Sequence, residues 1–258
     1  MPYIENKKFH TPDDDTVIWH FMNFPEFCSI LVHEKLFFTR SDCFDDPWEG
    51  AWPKYYHDKT FWIEHQGIPQ GQVESIISFF DKSLDKRKQF AVSCWHMNPH
   101  ESEPFWKLYS NQAFGVAIKS TIGDLKKSVD KSGWPINIGA IEYVNFDRPN
   151  QKSFLDSKGL DIPILYKRDV FRHEAEVRAF IKEQKDPGHP FKGERGRTVS
   201  IDPATLLNSV IVSPMATDWF VRVVKGMLEK FKLEKIECYK SNLYDRLPPI
   251  MEAQNQDG

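Results

Sequence analysis

Twenty phenylalanines, eight tyrosines and eight tryptophans make up 14% of this 258-residue chain. Side chains that bury roughly 150–250 Å² each have to pack against one another. That constrains the fold more than any other feature. The hydrophobic fraction is an ordinary 40%, so the apolar surface is concentrated in few, large groups. Such a chain is globular, and at this length it buries roughly 70–75% of its unfolded surface without a staple.

The remaining composition narrows the class. Thirty-four basic and 37 acidic residues leave a net charge of −3, with a pI near 6.3. That excludes the basic surface of a dedicated DNA-binding domain, though not a local basic groove. Cys28, Cys43, Cys94 and Cys238 are widely spaced with no CxxC, the pattern of reduced cysteines in a cytoplasmic protein. The N-terminus is polar and acidic, without a signal-peptide core. No apolar run approaches the ~18 residues of a membrane span. The expectation is a cytoplasmic protein with no membrane partner.

Periodicity gives the elements. Residues 1–16 read as a loose arm and Val17–Asn23 as a strand. Asn23 then caps a helix with Pro25 in its first turn and Phe27, Ile30 and Leu31 on its apolar face. A strand over Leu36–Phe38 leads into the turn cluster SDCFDDPWEG, and residues 51–72 show no period. Val73, Ile76, Ile77, Phe80 and Leu84 mark an amphipathic helix. Phe90–Trp95 alternates as a strand, with Phe90, Val92 and Cys94 on one face and Ala91, Ser93 and Trp95 on the other. A short helix, PFWKLYS, follows, with Ser102 as its cap. Further strands are expected at Phe114–Lys119, Ile136–Val144, Thr198–Ile201, Val210–Val212 and Ile236–Tyr239, and a helix capped by Thr121 carries Ile122, Leu125 and Val129. A polar loop spans 146–162. A last helix carries Trp219, Phe220, Val223, Val224, Met227, Leu228 and Phe231, and Trp219 is expected in the core. The fold class expected is α+β: a single domain over 17–246, with a central mixed, mainly antiparallel sheet flanked by helices, and a tail at 247–258.

Glu174-Ala175-Glu176-Val177-Arg178 is the sharpest chemical signal. On a strand, both carboxylates and the guanidinium share a face and can project into a cleft. On a helix, Glu174 and Arg178 form an ordinary surface pair. Asp45, Asp46 and Glu49 flank Pro47 beside Trp48, either as a backbone-bonding turn or as cleft carboxylates. Trp106 and Tyr109, three apart on a helix, fit core anchors or a cleft edge. His96, Asn98, His100, Glu101 and Glu103 share one loop, but their spacing fits no zinc pattern, so no metal is predicted. The basic, Gly-rich loop 183–197 could meet phosphates and so nucleic acid, or form a solvated hairpin tip. There is no GxGxxG, P-loop or HExxH.

Several stretches, read together, resemble a known family. They are IWHFMNFPEFCSILVHEKLFFTRSDCFDDPWEG, VSCWHMNPHESEPFWKLYSNQAFGVAIKST, KRDVFRHEAEVRAF and VIVSPMATDWF. In order and spacing they are similar to the domain of unknown function 2971 family, over roughly residues 17–243. The first strand departs from the usual Trp-Arg-Tyr of that family, having Trp19-His20-Phe21. The resemblance implies a bacterial protein whose relatives stand beside phage-resistance genes. The layout is also similar to ADP-ribosyltransferases, which place His or Arg on a first strand, Ser or Tyr on a middle strand and Glu, often in Glu-x-Glu, on a late one. Here His20, Ser93 and Glu174/Glu176 occupy those places in order.

That resemblance implies NAD as the dinucleotide and ADP-ribosyl transfer to a macromolecule. Glu176 would be the catalytic carboxylate, helped by Glu174, with His20 and Ser93 holding the dinucleotide. Trp95 would stack, and Asp46, Trp48, Trp106, Tyr109 and Arg178 would bind substrate. Two alternatives come from other classes. One is a metal-dependent nuclease using Asp45, Asp46, Glu49 and the Glu-x-Glu carboxylates. The other is a non-catalytic sensor of a phage-defence system that binds its ligand through an aromatic cleft.

Overall fold

The computed structural model describes residues 2–110, 112–148, 162–183 and 194–245. Its first unit shows how local sequence sets geometry. Strand β1 (Val17–Asn23) runs directly into helix α1 (Phe24–His33). Asn23 is the joint: its side chain accepts from the Glu26 amide at 3.0 Å, and the Glu26 carboxylate accepts from the Asn23 amide at 3.0 Å. This reciprocal pair satisfies donors that a helix start leaves open. Phe27, Ile30 and Leu31 form the buried stripe. The helix stops at Glu34, in the left-handed region at φ 50°, and the chain turns straight into β2 (Lys35–Arg40).

The later elements are α2 (Gln70–Asp85), β3 (Phe90–Met97), α3 (Glu103–Tyr109), β4 (Gly115–Thr121), α4 (Ile122–Ser128), β5 (Asn137–Ala140), β6 (Glu142–Val144), β7 (Tyr166–Arg168), β8 (Glu176–Lys182), β9 (Gly196–Ser200), α5 (Pro203–Leu206), β10 (Ser209–Val212), α6 (Asp218–Lys230) and β11 (Glu237–Lys240). Among the described residues, nine strands make one sheet. Its main path runs β11-β10-β4-β1-β3-β2-β9, with β8 also on β3 and β5 on β8. Only β10–β11 is parallel; the other pairings of this sheet are antiparallel. Strands β6 and β7 form a small parallel pair apart from it. The architecture is therefore α+β, with a mixed, mainly antiparallel central sheet flanked by helices.

Several expectations are corrected. The strand expected over 136–144 breaks at Ile141 and sends β5 and β6 to different sheets. The stretch without period, 51–72, supplies a core of its own: Trp52, Tyr56, Phe61 and Trp62 pack on Val73 and Phe80 of α2. Trp219, expected in the core, is 59% exposed. The buried stripe of α6 is Phe220, Val224 and Leu228, and Trp219 stands one residue, about 100°, off that line. Ser102 holds the N-cap position of α3 without a side-chain cap bond. Residues 2–16, expected to be loose, lie against the sheet. Tyr3 bridges Ile136, Thr11 donates to the Ile138 carbonyl at 2.6 Å, and Phe9 meets Phe180 at 5.6 Å. All four cysteines are free. No helix among the described residues is long and apolar enough to cross a membrane.

Candidate active site

The sheet forks at β3. Strands β1 and β2 are both antiparallel to β3, and both claim the same edge of it. β1 pairs only at His96 and Met97, and β2 only at Ala91 and Val92. The two strands cannot both lie against Ser93–Trp95, so each swings away, β1 onto β4 and β2 onto β9. A cavity of about 830 Å³ fills the fork, closed on one side by Glu26, Ser29, Ile30 and His33 of α1. That volume suits a small-molecule site.

Register assigns the walls. Ser93 faces Ala179, Cys94 faces Arg178, Trp95 faces Val177 and His96 faces Glu176 across β3–β8, while Trp19 faces His96 across β1–β3. Side chains alternate along a strand. His20, Ser93 and Trp95 therefore project from one face, and Cys94, His96, Glu176 and Arg178 from the other. All seven line the cavity, because the fork opens both faces to it.

On the first face, His20 closes the gap that no strand fills. Its Nδ1 lies 2.8 Å from the Cys94 carbonyl oxygen. A carbonyl only accepts, so Nδ1 carries the hydrogen and Nε2 is a bare acceptor. Burial holds the His20 pKa below its ordinary value, against the pull of that carbonyl, so the ring is neutral at pH 7. It packs on Trp95 at 4.9 Å, and Trp95 Nε1 donates to Ser93 Oγ at 3.2 Å.

The second face carries a buried ion cluster. Arg178 is fully buried. Its Nε and Nη2 donate to Glu176 at 2.6 and 3.1 Å, and its Nη1 to Glu49 at 2.5 Å and to the Ile164 carbonyl at 2.6 Å. Lys167 bonds Glu174 and, at 3.0 Å, Glu176; Glu49 lies 3.9 Å away. Tyr109 donates to Glu174 at 3.2 Å, and the Tyr143 hydroxyl accepts from the Glu176 amide at 2.8 Å. Three carboxylates thus meet two cations, an excess of one negative charge.

Burial opposes the Glu176 anion, but Arg178 and then Lys167 outweigh it and hold its carboxyl at about 2. Burial likewise opposes the Lys167 ammonium, yet Glu176 and Glu49 hold its pKa above the ordinary lysine value. Burial, then the Glu176 charge, push the Cys94 thiol well up, so Cys94 is no thiolate at neutral pH. His96 donates from Nδ1 to the Glu174 carbonyl, stacks on Phe105 at 4.2 Å, and leaves Nε2 buried without a partner among the described residues.

Glu174-Ala175-Glu176 is not one continuous strand. Glu174 ends a 3-10 turn, Ala175 is left-handed at φ 41°, and β8 begins at Glu176. That kink delivers Glu174 to the same cluster. Of the other residues expected at the site, Tyr109 lines the cavity, but Asp46, Trp48 and Trp106 are not part of its wall. Asp46 pairs with Arg168 at 2.9 Å and accepts from the Trp48 amide at 3.0 Å, which is the backbone-bonding turn. Trp48 meets Phe146 edge-on at 6.1 Å. Trp106 is buried edge-on against Phe21 at 5.0 Å, its indole N–H on Glu101 at 2.9 Å. Most of the basic loop, residues 184–193, lies outside the described residues. Lys167, His96, Cys94 and Tyr143 were not singled out for this site by sequence; no local pattern marks them.

Comparison with known proteins gives little beyond this geometry. No family model matches the chain, so the resemblance to the domain of unknown function 2971 family gains no support there, and no curated protein matches it. Among solved structures it is similar to "Thermus sp. 2.9 DarT in complex with carba-NAD+", at 11% identity over 89% of this chain and 96% of that one, with a TM-score of 0.34. It is also similar to "Thermus sp. 2.9 DarT in complex with ADP-ribosylated ssDNA", at 13% identity over 90% and 96%, with a TM-score of 0.34. At that level of similarity, what the cavity can do is decided by its own side chains.

Proposed function

We propose that this protein is an NAD-dependent ADP-ribosyltransferase that modifies a macromolecule, with the fork cavity as its active site. One observation carries the reading: the cavity brings a neutral imidazole acceptor, a serine and an indole together with a carboxylate cluster holding an excess negative charge. NAD, when bound, supplies a ribose whose bond to nicotinamide breaks with the electron pair leaving on nicotinamide, so positive charge develops on the sugar. The residues suit that event. His20 Nε2 accepts a ribose hydroxyl and Ser93 Oγ fixes the same end of the ligand. Glu176, ionised throughout the physiological range, opposes the developing charge. Glu174, with fewer bonds on its carboxylate, has lone pairs left to orient a hydroxyl. The acceptor's nucleophilic atom then bonds the sugar carbon and releases its proton.

The rival nuclease reading needs the same carboxylates free for metal. Here Glu49, Glu174 and Glu176 are already bonded by Lys167 and Arg178, and Asp46 by Arg168. Incubation with adenine-labelled NAD and a cell lysate tests the proposal. Label is expected on a macromolecule, lost in Glu176→Gln, and nuclease or protease digestion names the acceptor class. Absence of NAD binding at millimolar concentration sinks it.

A further inference from the structure

Lys167 stands in the small sheet of β6 and β7, outside the main sheet that carries His20, Ser93, Trp95, Glu176 and Arg178. Its side chain is 11% exposed. We propose that Lys167 is a positioning residue: it holds Glu174 and Glu176 side by side as a pair of anions facing the cavity.

The division of contacts carries this. Arg178 bonds Glu176 and Glu49 but not Glu174. Among the described residues, Lys167 is the one cation on Glu174, and it also bridges to Glu176. Glu174 otherwise receives only the neutral Tyr109 hydroxyl. Among the described residues, no cation other than Lys167 and Arg178 bonds the pair. Tyr143 from β6 accepts from the Glu176 backbone, Cys94 from β3 is a protonated thiol, His96 from β3 is bonded to the Glu174 carbonyl, and the Phe171 ring lies 5.0 Å from the ammonium. Remove the ammonium, and Glu49, Glu174 and Glu176 share one arginine. Neighbouring carboxylates that cannot all ionise take up a proton in the neutral range. The lysine therefore keeps the two carboxylates side by side on one ammonium. As a statement about catalysis this rests on the transferase reading; as a statement about charge it does not.

The test has two arms on the same proteins: wild type, Lys167→Met, Lys167→Arg and the charge-compensated Lys167→Met/Glu174→Gln. In the first arm, ¹³C NMR follows the glutamate carboxyls from pH 4 to 8.5. Glu176 is expected to stay ionised throughout in wild type. In Lys167→Met one carboxyl of the cluster titrates between about pH 5.5 and 7.5, and this vanishes in Lys167→Arg and in the double variant. In the second arm, kcat/KM for NAD-dependent labelling falls about tenfold in Lys167→Met at pH 6 and recovers toward wild type by pH 8.5, as the carboxyl ionises. No mid-range titration in Lys167→Met, or a pH profile that superimposes on wild type, overturns the role. If Lys167→Met does not fold while the double variant does, the charge role is supported; if neither folds, Lys167 is packing and the proposal fails. A wild type inert toward NAD with the expected titration removes the transferase reading and leaves the charge assignment standing.

Discussion

Arg178→Met deletes the centre of the ion cluster while roughly keeping side-chain volume, and its effect can be worked out in advance. Arg178 is 0% exposed and makes four hydrogen bonds, three to carboxylates. Removing one partner of such a network strands charge in the interior and costs about 3–5 kcal/mol. Total stability for a domain is about 5–15 kcal/mol, so the variant loses a large share of it, with Tm falling by about 6–20 °C. The loss carries a pH signature. With Lys167 alone against three carboxylates, folded-state pKa values rise above the 4.5 of a free glutamate. A group whose folded pKa is raised destabilises above that pKa and stops doing so as pH falls through it. The deficit therefore narrows from pH 8 to pH 5, by about 1.4 kcal/mol per pH unit for each proton taken up. Urea unfolding followed by tryptophan fluorescence at pH 5, 6, 7 and 8 measures it. Arg168→Met is the control: its pair with Asp46 is 34% and 12% exposed, and it should lose less than about 1 kcal/mol. A deficit below 1 kcal/mol for Arg178→Met, or one identical at pH 5 and pH 8, refutes the reasoning.

Other expectations follow from single positions. Wild type should lose stability on acidification through the Glu176 titration: its carboxyl falls from 4.5 to about 2 on folding, so that contribution is complete above pH 4.5 and gone below about pH 2, and urea midpoints at pH 2–5 read it. Ala175→Gly should stabilise by up to about 1 kcal/mol in the same assay, because Ala175 sits at φ 41°, where a Cβ is strained. Gly196→Ala should do the opposite by about 1–3 kcal/mol, since its Cβ would come within 2.1 Å of the Phe38 carbonyl oxygen; thermal melts compare the two. ¹⁵N NMR at pH 7 should find His20 and His96 neutral with the hydrogen on Nδ1, both pKa values being lowered by burial. Their share of stability is then full above 6.5 and declines as pH falls below it; an imidazolium signal at pH 7 contradicts this.

How far the sequence reaches depends on how local the cause is. The β1–α1 joint lies within four residues, Asn23 to Glu26, and could be named in advance. The alternation of β3 correctly separated Ser93 and Trp95 from Cys94. Glu174–Arg178 could not be decided, because Glu174 and Arg178 satisfy a helical i, i+4 spacing as well as a strand's alternation. What decides it is non-local: β3 on one side and β5 on the other bond β8 into the sheet. Trp219 misled because a broad apolar run does not say which of its members faces inward. Lys167 was illegible for a stronger reason. Nothing in Tyr166-Lys167-Arg168 distinguishes it from a surface lysine, and its role exists only once the turn after β7 and the start of β8 bring Glu174 and Glu176 back to it, seven and nine residues along the chain.

The same dependence explains why the cavity lies where it does. A strand edge buried without a partner would leave main-chain groups unsatisfied, which folds avoid. At Cys94 the missing strand is replaced by a side chain: the His20 imidazole donates to the carbonyl that a neighbouring strand's amide would otherwise take. A backbone amide would have ended the matter there, with its hydrogen used and nothing beyond it. An imidazole carries a second nitrogen across the ring, so the act of closing the fork on one side presents an acceptor on the other. The fork thus generates its own polar lining, and the carboxylates of the opposite face reach the same space because no strand stands between. In this fold the defect in strand pairing and the candidate site have one cause, the competition of β1 and β2 for the edge of β3.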